Sequence, residues 1–125
     1  MTKTKILIVD DNIQMRNLLR ITFSSYPQYV FLQAQSGQEA IEVIKTEHPD
    51  IIFLDVMMPG ELDGLDVCQF VKSSDEFKSS FVALLSAKGQ KQDIAAGMEA
   101  GADKYITKPF SPMALLDVVA GICAT

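Results

Sequence analysis

Strand-like apolar segments alternate with segments of helical periodicity five times along this chain. The strand-like segments are rich in β-branched and aromatic residues, and each is followed by apolar residues three and four positions apart. Such alternation predicts an α/β fold, in which a parallel sheet is covered on both faces by helices and joined by right-handed crossovers. The predicted strands are Lys5–Val9, Tyr29–Ala34, Asp50–Leu54, Phe81–Leu85 and Asp103–Thr107.

Polar residues at helix-capping positions precede four of the predicted helices. Asn12 precedes the first helix, and Ser36 begins the S-x-x-E spacing of a capping box before the second. Asp63 precedes the third helix, and Ser111 followed by Pro112 begins the last. The helical periodicity of the first four helices rests on Ile13, Leu18, Leu19, Phe23, Ala40, Ile41, Ile44, Leu65, Val67, Phe70, Val71, Ile94, Ala95 and Met98.

Length and charge exclude several classes of protein. A chain of 125 residues is enough for one compact domain, 1–125, and hardly for two. The net charge of −5 and the lack of a basic segment argue against direct binding of nucleic acid. No apolar run approaches the roughly 20 residues of a membrane helix, and no signal peptide is evident, so we expect a cytoplasmic protein. We expect Met1 to be the native start, whereas an end at Thr125 fits either a single-domain protein or part of a longer chain.

The two cysteines and the single histidine are predicted to be structural. Cys68 and Cys123 lie in apolar helical patterns without CxxC spacing, so we expect buried free thiols. His48 follows a helical pattern and precedes Pro49, so we expect a solvated residue at a helix end.

Charged residues follow three of the predicted strands directly. Asp10 and Asp11 follow the first strand, Asp55 follows the third, and Lys108 follows the fifth. Because ligands bind beyond the carboxyl ends of parallel strands, we expect these charges to converge at one edge of the sheet, with Asp55 facing solvent. Three carboxylates at close range repel one another, so the cluster needs a cation or raised pKa values.

This cluster predicts magnesium-assisted phosphoryl transfer. Carboxylate oxygens suit Mg2+, and Mn2+ is an alternative ion. Asp11 and Asp55 would bind the metal directly, and Asp10 directly or through water. Asp55 would attack phosphorus to form an acyl phosphate, while Lys108 and Ser86, which ends the fourth strand, would hold phosphoryl oxygens. Taken singly, these residues have ordinary explanations as a capping turn, a surface lysine and a loop hydroxyl; together, at successive strand ends, they favour a site.

Four segments resemble the receiver domains of two-component response regulators, including the single-domain chemotaxis regulators. They are ILIVDDN, IIFLDVMMPG, ALLSAKG and GADKYITKPF, and the resemblance covers nearly the whole chain. It implies a flavodoxin-like doubly wound sheet of order 2-1-3-4-5. It also implies a signalling switch, in which Asp55 accepts a phosphoryl group from a histidine kinase or phosphotransfer protein. Such a protein is not an enzyme beyond its own phosphorylation and dephosphorylation.

The same resemblance implies a role for each residue of the cluster. Asp11, Asp55 and the backbone carbonyl of Met57 would ligate Mg2+, and Asp10 would act through water. Lys108 would contact the phosphoryl group.

The resemblance further implies a switch. Ser86 matches the hydroxyl that moves toward the phosphoryl group, and Tyr105 matches the aromatic residue that then turns inward. The readout would be the surface of the fourth helix, fifth strand and fifth helix, where an unknown downstream target would bind. The Lys108–Pro109 bond matches a cis peptide of the family.

The loop after the third strand departs from the family pattern. Members commonly have MPxMDG, whereas this chain has MPGELDG, which is one residue longer. The extra residue follows Met57, so metal ligation should survive. Loop shape near the site, and with it kinase docking or phosphoryl lifetime, is left open.

The last helix allows two interpretations. Leu115, Leu116, Val119 and Ile122 form a predicted core stripe. The opposite side is also short of polar residues and carries Met113, Ala114, Val118 and Gly121. It is either a weakly polar surface or a face for a partner, including a phosphorylation-dependent homodimer.

Two other classes compete with the receiver interpretation. A magnesium phosphatase of the haloacid dehalogenase type needs DxD on its first strand, whereas here the first strand ends in adjacent DD and the acceptor candidate lies in DVM. A flavodoxin-like cofactor binder needs a Ser/Thr/Gly-rich phosphate loop, whereas DDNIQMR is acidic.

Overall fold

Five strands and five helices alternate strictly in the computed structural model, which describes residues 3–123. The expectations for Met1 and Thr125 therefore lie outside the described residues. The elements are β1 (Thr4–Val9), α1 (Ile13–Ser24), β2 (Tyr29–Ala34), α2 (Gly37–Glu47), β3 (Ile51–Asp55), α3 (Gly64–Lys72), β4 (Phe81–Ser86), α4 (Lys91–Glu99), β5 (Lys104–Thr107) and α5 (Pro112–Cys123).

All strand pairs are parallel, and the sheet has the order β2-β1-β3-β4-β5. This confirms the predicted fold class and strand order. The strand boundaries lie within one residue of the predicted ones. The small differences matter at the site, because Asp55 and Ser86 are the last residues of β3 and β4 and not part of the following loops.

The sheet is packed on both faces, because successive side chains of each strand point to opposite sides. Ile6 and Ile8 of β1 belong to one cluster, which α1 and α5 cover. Leu7 and Val9 belong to the other, which α2 and α3 cover. All four side chains are completely buried. This two-sided burial fixes β1 and β3 at the centre of the molecule.

The buried stripe of α1 differs from the apolar pattern in the sequence. Leu19 and Phe23 are buried as the pattern suggests, and the third buried residue of the stripe is Arg16. Ile13 and Leu18 are exposed. The apolar pattern of α4 likewise overstates its burial, since Ile94 and Met98 are exposed and Gly97 is the buried residue of that helix.

Side-chain caps hold the helix starts as predicted. The Asn12 side chain accepts hydrogen bonds from two backbone N–H groups of the first turn of α1. Ser36 accepts from the N–H of Glu39, Asp63 forms a capping box with Asp66, and the Ser111 hydroxyl accepts from the first turn of α5.

Within residues 3–123, none of the helices combines the length and apolar character that crossing a bilayer requires.

The two cysteines differ in environment. Cys68 is buried and free, and burial raises the pKa of its thiol to about 11, which disfavours thiolate chemistry at neutral pH. Cys123 is free but exposed, so the expectation of burial is wrong there, because it lies in the last turn of α5 beyond the core stripe.

His48 is an exposed C-cap of α2, as expected, and its ring contacts the Glu76 carboxylate at 2.9 Å.

The surface of α5 is less apolar than the sequence suggests. Leu115, Leu116 and Val119 are buried, as predicted. Val118, assigned to the opposite side, packs partly against the same core cluster. Met113 is about half exposed, at 54%, and is the large apolar side chain that α5 presents to solvent.

Candidate functional site

The sheet gathers three carboxylates at its carboxyl edge. Val9 of β1 pairs with Leu54 of β3, so Asp10 and Asp55 follow side by side. One carboxylate oxygen from each of Asp10, Asp11 and Asp55 lies within 4.8 Å of the others. Asp10 and Asp55 are buried, whereas Asp11 is exposed. The residues singled out in the sequence therefore do meet in space.

Among residues 3–123, one ammonium group forms ion pairs with this cluster. Lys108, which follows β5, places its Nζ 3.2 Å from Asp55 Oδ2 and 3.7 Å from Asp10 Oδ2. Because β4 lies between β3 and β5, the lysine side chain reaches across the end of β4. Its backbone N–H donates to the carbonyl of Ser86 at 2.8 Å, and the Lys108–Pro109 peptide bond is cis.

Asp10 provides the clearest test of whether a metal ion fits. Its Oδ1 accepts a hydrogen bond of 2.9 Å from the N–H of Asn12. Its Oδ2 is buried and has no hydrogen-bond partner among residues 3–123. Buried polar atoms are normally satisfied, so an orphaned carboxylate oxygen beside two further carboxylates fits a hard divalent cation.

Asp55 is more buried than the sequence suggests. Only 8% of its side chain is exposed, so the expectation that it faces solvent is wrong. Asp55 ends a central strand, with Asp10 and the Lys108 ammonium close to its carboxylate, and Asp11 is the carboxylate that solvent reaches. Burial and the neighbouring Asp10 raise the pKa of Asp55, and the opposing effects of the Lys108 ammonium and the Met57 N–H are smaller.

Ser86 and Tyr105 meet at one residue of the loop between β4 and α4. The buried Ser86 hydroxyl accepts a hydrogen bond of 3.0 Å from the N–H of Lys88. The Tyr105 hydroxyl donates a hydrogen bond of 2.6 Å to the carbonyl of the same Lys88. A Cβ atom on Gly97 would lie 2.8 Å from the Tyr105 ring, so the half-buried ring lies directly on the backbone of α4.

The longer loop between β3 and α3 is packed against α2. A Cβ atom on Gly37 would lie 2.6 Å from Leu62 Cβ, so Leu62 occupies the space that a larger residue would need. Gly60 has φ +101°, a conformation that other residues rarely adopt. Leu62 of this loop therefore lies against the first residue of α2, and the loop returns to β3 where the Gly64 N–H donates to the Val56 carbonyl at 3.0 Å.

Two sets of contacts at the site, those of the Lys88 backbone and of the Arg16 side chain, were not predicted from the sequence. Lys88 acts through its backbone, which carries no residue-type signature. Arg16 is buried on the core side of α1 and donates to the carbonyl of Asp10 at 2.6 Å. The sequence did contain one indication that Arg16 is buried, because it lies three and seven positions before Leu19 and Phe23, on the same face of the helix.

A family model described as the response regulator receiver domain matches residues 6–120. The chain belongs to the response regulator receiver domain family. It is thus the receiver domain of a two-component response regulator, a family whose members interact with histidine kinases and typically use Mg2+ at their aspartate cluster. This classification excludes the phosphatase and flavodoxin-like alternatives.

Relatives of known sequence support this assignment. The transcriptional regulatory protein ResD of Bacillus subtilis is 43% identical over 110 residues, which cover 88% of this chain and 44% of ResD. The probable transcriptional regulator ycf27 of Cyanophora paradoxa is 42% identical over 113 residues, which cover 90% of this chain and 45% of that protein. The chain thus spans less than half the length of these curated relatives.

Solved structures share the fold over nearly the whole chain. The chemotaxis response regulator CheY4 of Vibrio cholerae has a TM-score of 0.87 at 27% identity, covering 97% of this chain and 99% of CheY4. The receiver domain of the Francisella response regulator 1452 has a TM-score of 0.84 at 30% identity, covering 94% of each chain.

The raised pKa of Asp55 makes a prediction about stability and pH. A native state that holds the Asp55 proton more tightly than the unfolded state loses stability as pH rises through the raised pKa. With chelator present, we expect Asp55→Asn to raise the Tm at pH 7 by about 3 °C or more, and the gain to shrink as pH falls toward about 4. Thermal melts followed by circular dichroism check this.

The matched control is Asp75→Asn, which neutralises an almost fully exposed carboxylate and should leave the melting curve unchanged at every pH. A lower Tm for Asp55→Asn at pH 7, or a gain that does not vary with pH, contradicts the interpretation.

Proposed function

We propose that Asp55 accepts a phosphoryl group from phosphohistidine of a histidine kinase or phosphotransfer protein. The observation that carries the proposal is that the carboxylates of Asp10 and Asp11 and the Lys108 ammonium converge on the buried carboxylate of Asp55. An oxygen of Asp55 attacks phosphorus, the bond from phosphorus to the histidine nitrogen breaks, and an acyl phosphate forms on Asp55. Hydrolysis of that acyl phosphate by water resets the domain.

Asp11, Asp55 and the backbone carbonyl of Met57 would hold the divalent ion, with Asp10 acting through water. The ion, Mg2+ or Mn2+, would offset the negative charge that develops on the transferring oxygens. The orphaned Oδ2 of Asp10 supports this assignment, because a metal-bound water would satisfy it.

Lys108 has two tasks in this scheme. Its ammonium lies 3.2 Å from Asp55 Oδ2 and favours the ionised form that attacks phosphorus. As the acyl phosphate forms, the Asp55 carboxylate loses its charge, and the ammonium becomes free to pair with a phosphoryl oxygen. The Lys108 ammonium thus exchanges the Asp55 carboxylate for a phosphoryl oxygen and stays paired with a negative charge throughout the transfer.

The switch would run through the backbone of Lys88. In the unphosphorylated domain, the Ser86 hydroxyl accepts from the Lys88 N–H while Tyr105 donates to the Lys88 carbonyl. When the Ser86 hydroxyl turns to a phosphoryl oxygen, the Lys88 N–H loses its acceptor. The loop and Tyr105 then re-equilibrate, and the surface of α4, β5 and α5 changes.

The receiver would pass its signal on to another domain or protein. Its relatives are named as transcriptional regulators and are more than twice as long as the matched segment, so the receiver is proposed to control a further domain or a separate target. We assign residues 1–125 to one receiver domain that acts in the cytoplasm without binding nucleic acid itself. Met113 marks where a partner or a second phosphorylated copy would contact α5.

Phosphorylation itself gives a direct test. Incubation with acetyl phosphate and Mg2+ should add one phosphoryl group, seen by intact-mass analysis and removed by base. Asp55→Asn and excess chelator should each abolish the mass shift, because the first removes the nucleophile and the second the charge-compensating ion. Asp75→Asn should be labelled like the wild type. Full labelling of Asp55→Asn would refute the assignment of the acceptor.

Amide hydrogen exchange tests the switch. We expect phosphorylation to speed exchange of the Lys88 amide by about 5- to 10-fold, the effect of losing one hydrogen bond. Ser86→Ala should do the same without phosphorylation. The Val56 amide, which donates to the Leu85 carbonyl between β3 and β4, is the internal control and should not change. A Lys88 amide that is unaffected in fully phosphorylated protein rules out this route.

A further inference from the structure

Arg16 is a charged residue whose position calls for an explanation. It is 8% exposed and lies on the face of α1 that carries Leu19 and Phe23 into the core. Arginine is seldom buried unless its charge and donors are matched. The guanidinium is forked, so it can join two acceptors in a fixed geometry.

The two acceptors of this fork lie on different elements. Nη1 donates to the backbone carbonyl of Asp10 at 2.6 Å, and Nε donates to Oε1 of Gln33 on β2 at 3.1 Å. Arg16 therefore links α1, the end of β1 and the neighbouring strand. The Asp10 carbonyl belongs to the peptide that joins Asp10 to Asp11, and that peptide is planar. Holding this carbonyl fixes the plane from which both carboxylates project.

The other hydrogen bonds around Asp10 do not involve the carbonyl of the Asp10–Asp11 peptide, which Arg16 holds. The Asp10 N–H donates to the Ala34 carbonyl at 3.1 Å, which fixes the preceding peptide. The Asn12 N–H donates to Asp10 Oδ1, so one oxygen of that carboxylate is held by the peptide that follows Asp11. Within residues 3–123, the Asp11 carboxylate takes part in no hydrogen bond or ion pair, so the contacts that place Asp11 are those of the backbone beside it.

We propose that Arg16 is a positioning residue for the metal site, which aims the carboxylates of Asp10 and Asp11 through its bond to the Asp10 carbonyl. This inference rests on the proposed function of the aspartate cluster. Groups that orient metal ligands typically change metal affinity by 10- to 100-fold when they are removed. Arg16 should act on metal binding in the same way.

The sign of the effect separates positioning from simple electrostatics. A guanidinium near the cluster repels a divalent cation, so if charge alone mattered, its removal would tighten Mg2+ binding. If Arg16 positions the ligands, its removal weakens binding in spite of the lost positive charge. Arg16→Lys keeps the charge but not the fork, so it should weaken binding as well.

Isothermal titration of Mg2+ into the unphosphorylated protein measures this. We expect Arg16→Met and Arg16→Lys to raise the Kd for Mg2+ by about 10-fold or more. Gln33→Ala, which removes the second acceptor and leaves the guanidinium, should raise it by a smaller factor. Arg20→Met is the matched control, since it removes an exposed arginine one turn further along α1, and its Kd should equal that of the wild type.

Titrations are run well below each Tm, so that loss of fold does not enter the affinity. An unchanged or lower Kd in folded Arg16→Met and Arg16→Lys overturns the inference and leaves the proposed metal site standing. If the Arg16 variants do not fold, Gln33→Ala decides: a raised Kd supports the inference and an unchanged Kd overturns it. Absence of Mg2+ binding by the wild type overturns the proposed metal site and this inference together.

Discussion

Repulsion among Asp10, Asp11 and Asp55 is the constraint on which the behaviour of this domain depends. At an effective dielectric constant of about 20, two unit charges within 4.8 Å repel by about 3 kcal/mol or more. The fold tolerates this because β1 and β3 are buried on both faces, and each fully buried aliphatic side chain contributes about 1.5–3 kcal/mol. Packing thus holds the anions together, and the single Lys108 ammonium leaves negative charge for a divalent cation to neutralise.

The same packing connects the cluster to the surface. Asp55 and Ser86 end adjacent strands, and the hydroxyl groups of Ser86 and Tyr105 both bond to the backbone of Lys88. In the proposed switch, a change of charge at Asp55 needs to move only the Ser86 hydroxyl to break its hydrogen bond with the Lys88 N–H in the loop before α4. The burial of α4 itself is slight, with Gly97 its one buried residue, so fewer buried contacts hold that helix than hold α5.

Sequence periodicity was sufficient for the strands, the helix caps and the convergence of the charged residues, because each follows from local patterns and from the geometry of a parallel sheet. The strand order, the roles of Ser86 and Tyr105 and the carbonyl of Met57 came from family resemblance. The burial of Asp55 could not be predicted, since it depends on how residues far apart in the sequence pack at the end of β3. Nor could the pattern tell that Ile13 and Leu18 are exposed while Arg16 is buried, because it does not specify which side of α1 faces the sheet.

The central claim is that the three carboxylates form a site for a divalent cation. Paramagnetic Mn2+, added in substoichiometric amounts to nitrogen-15-labelled protein, broadens the amide signals near its binding site. The account predicts that the amides of Asp11, Asn12 and Met57 broaden first, while those of the exposed acidic residues Asp75 and Glu76, before β4 at the opposite edge of the sheet, stay sharp. Broadening centred on Asp75 and Glu76, or spread evenly over the acidic surface, would contradict it.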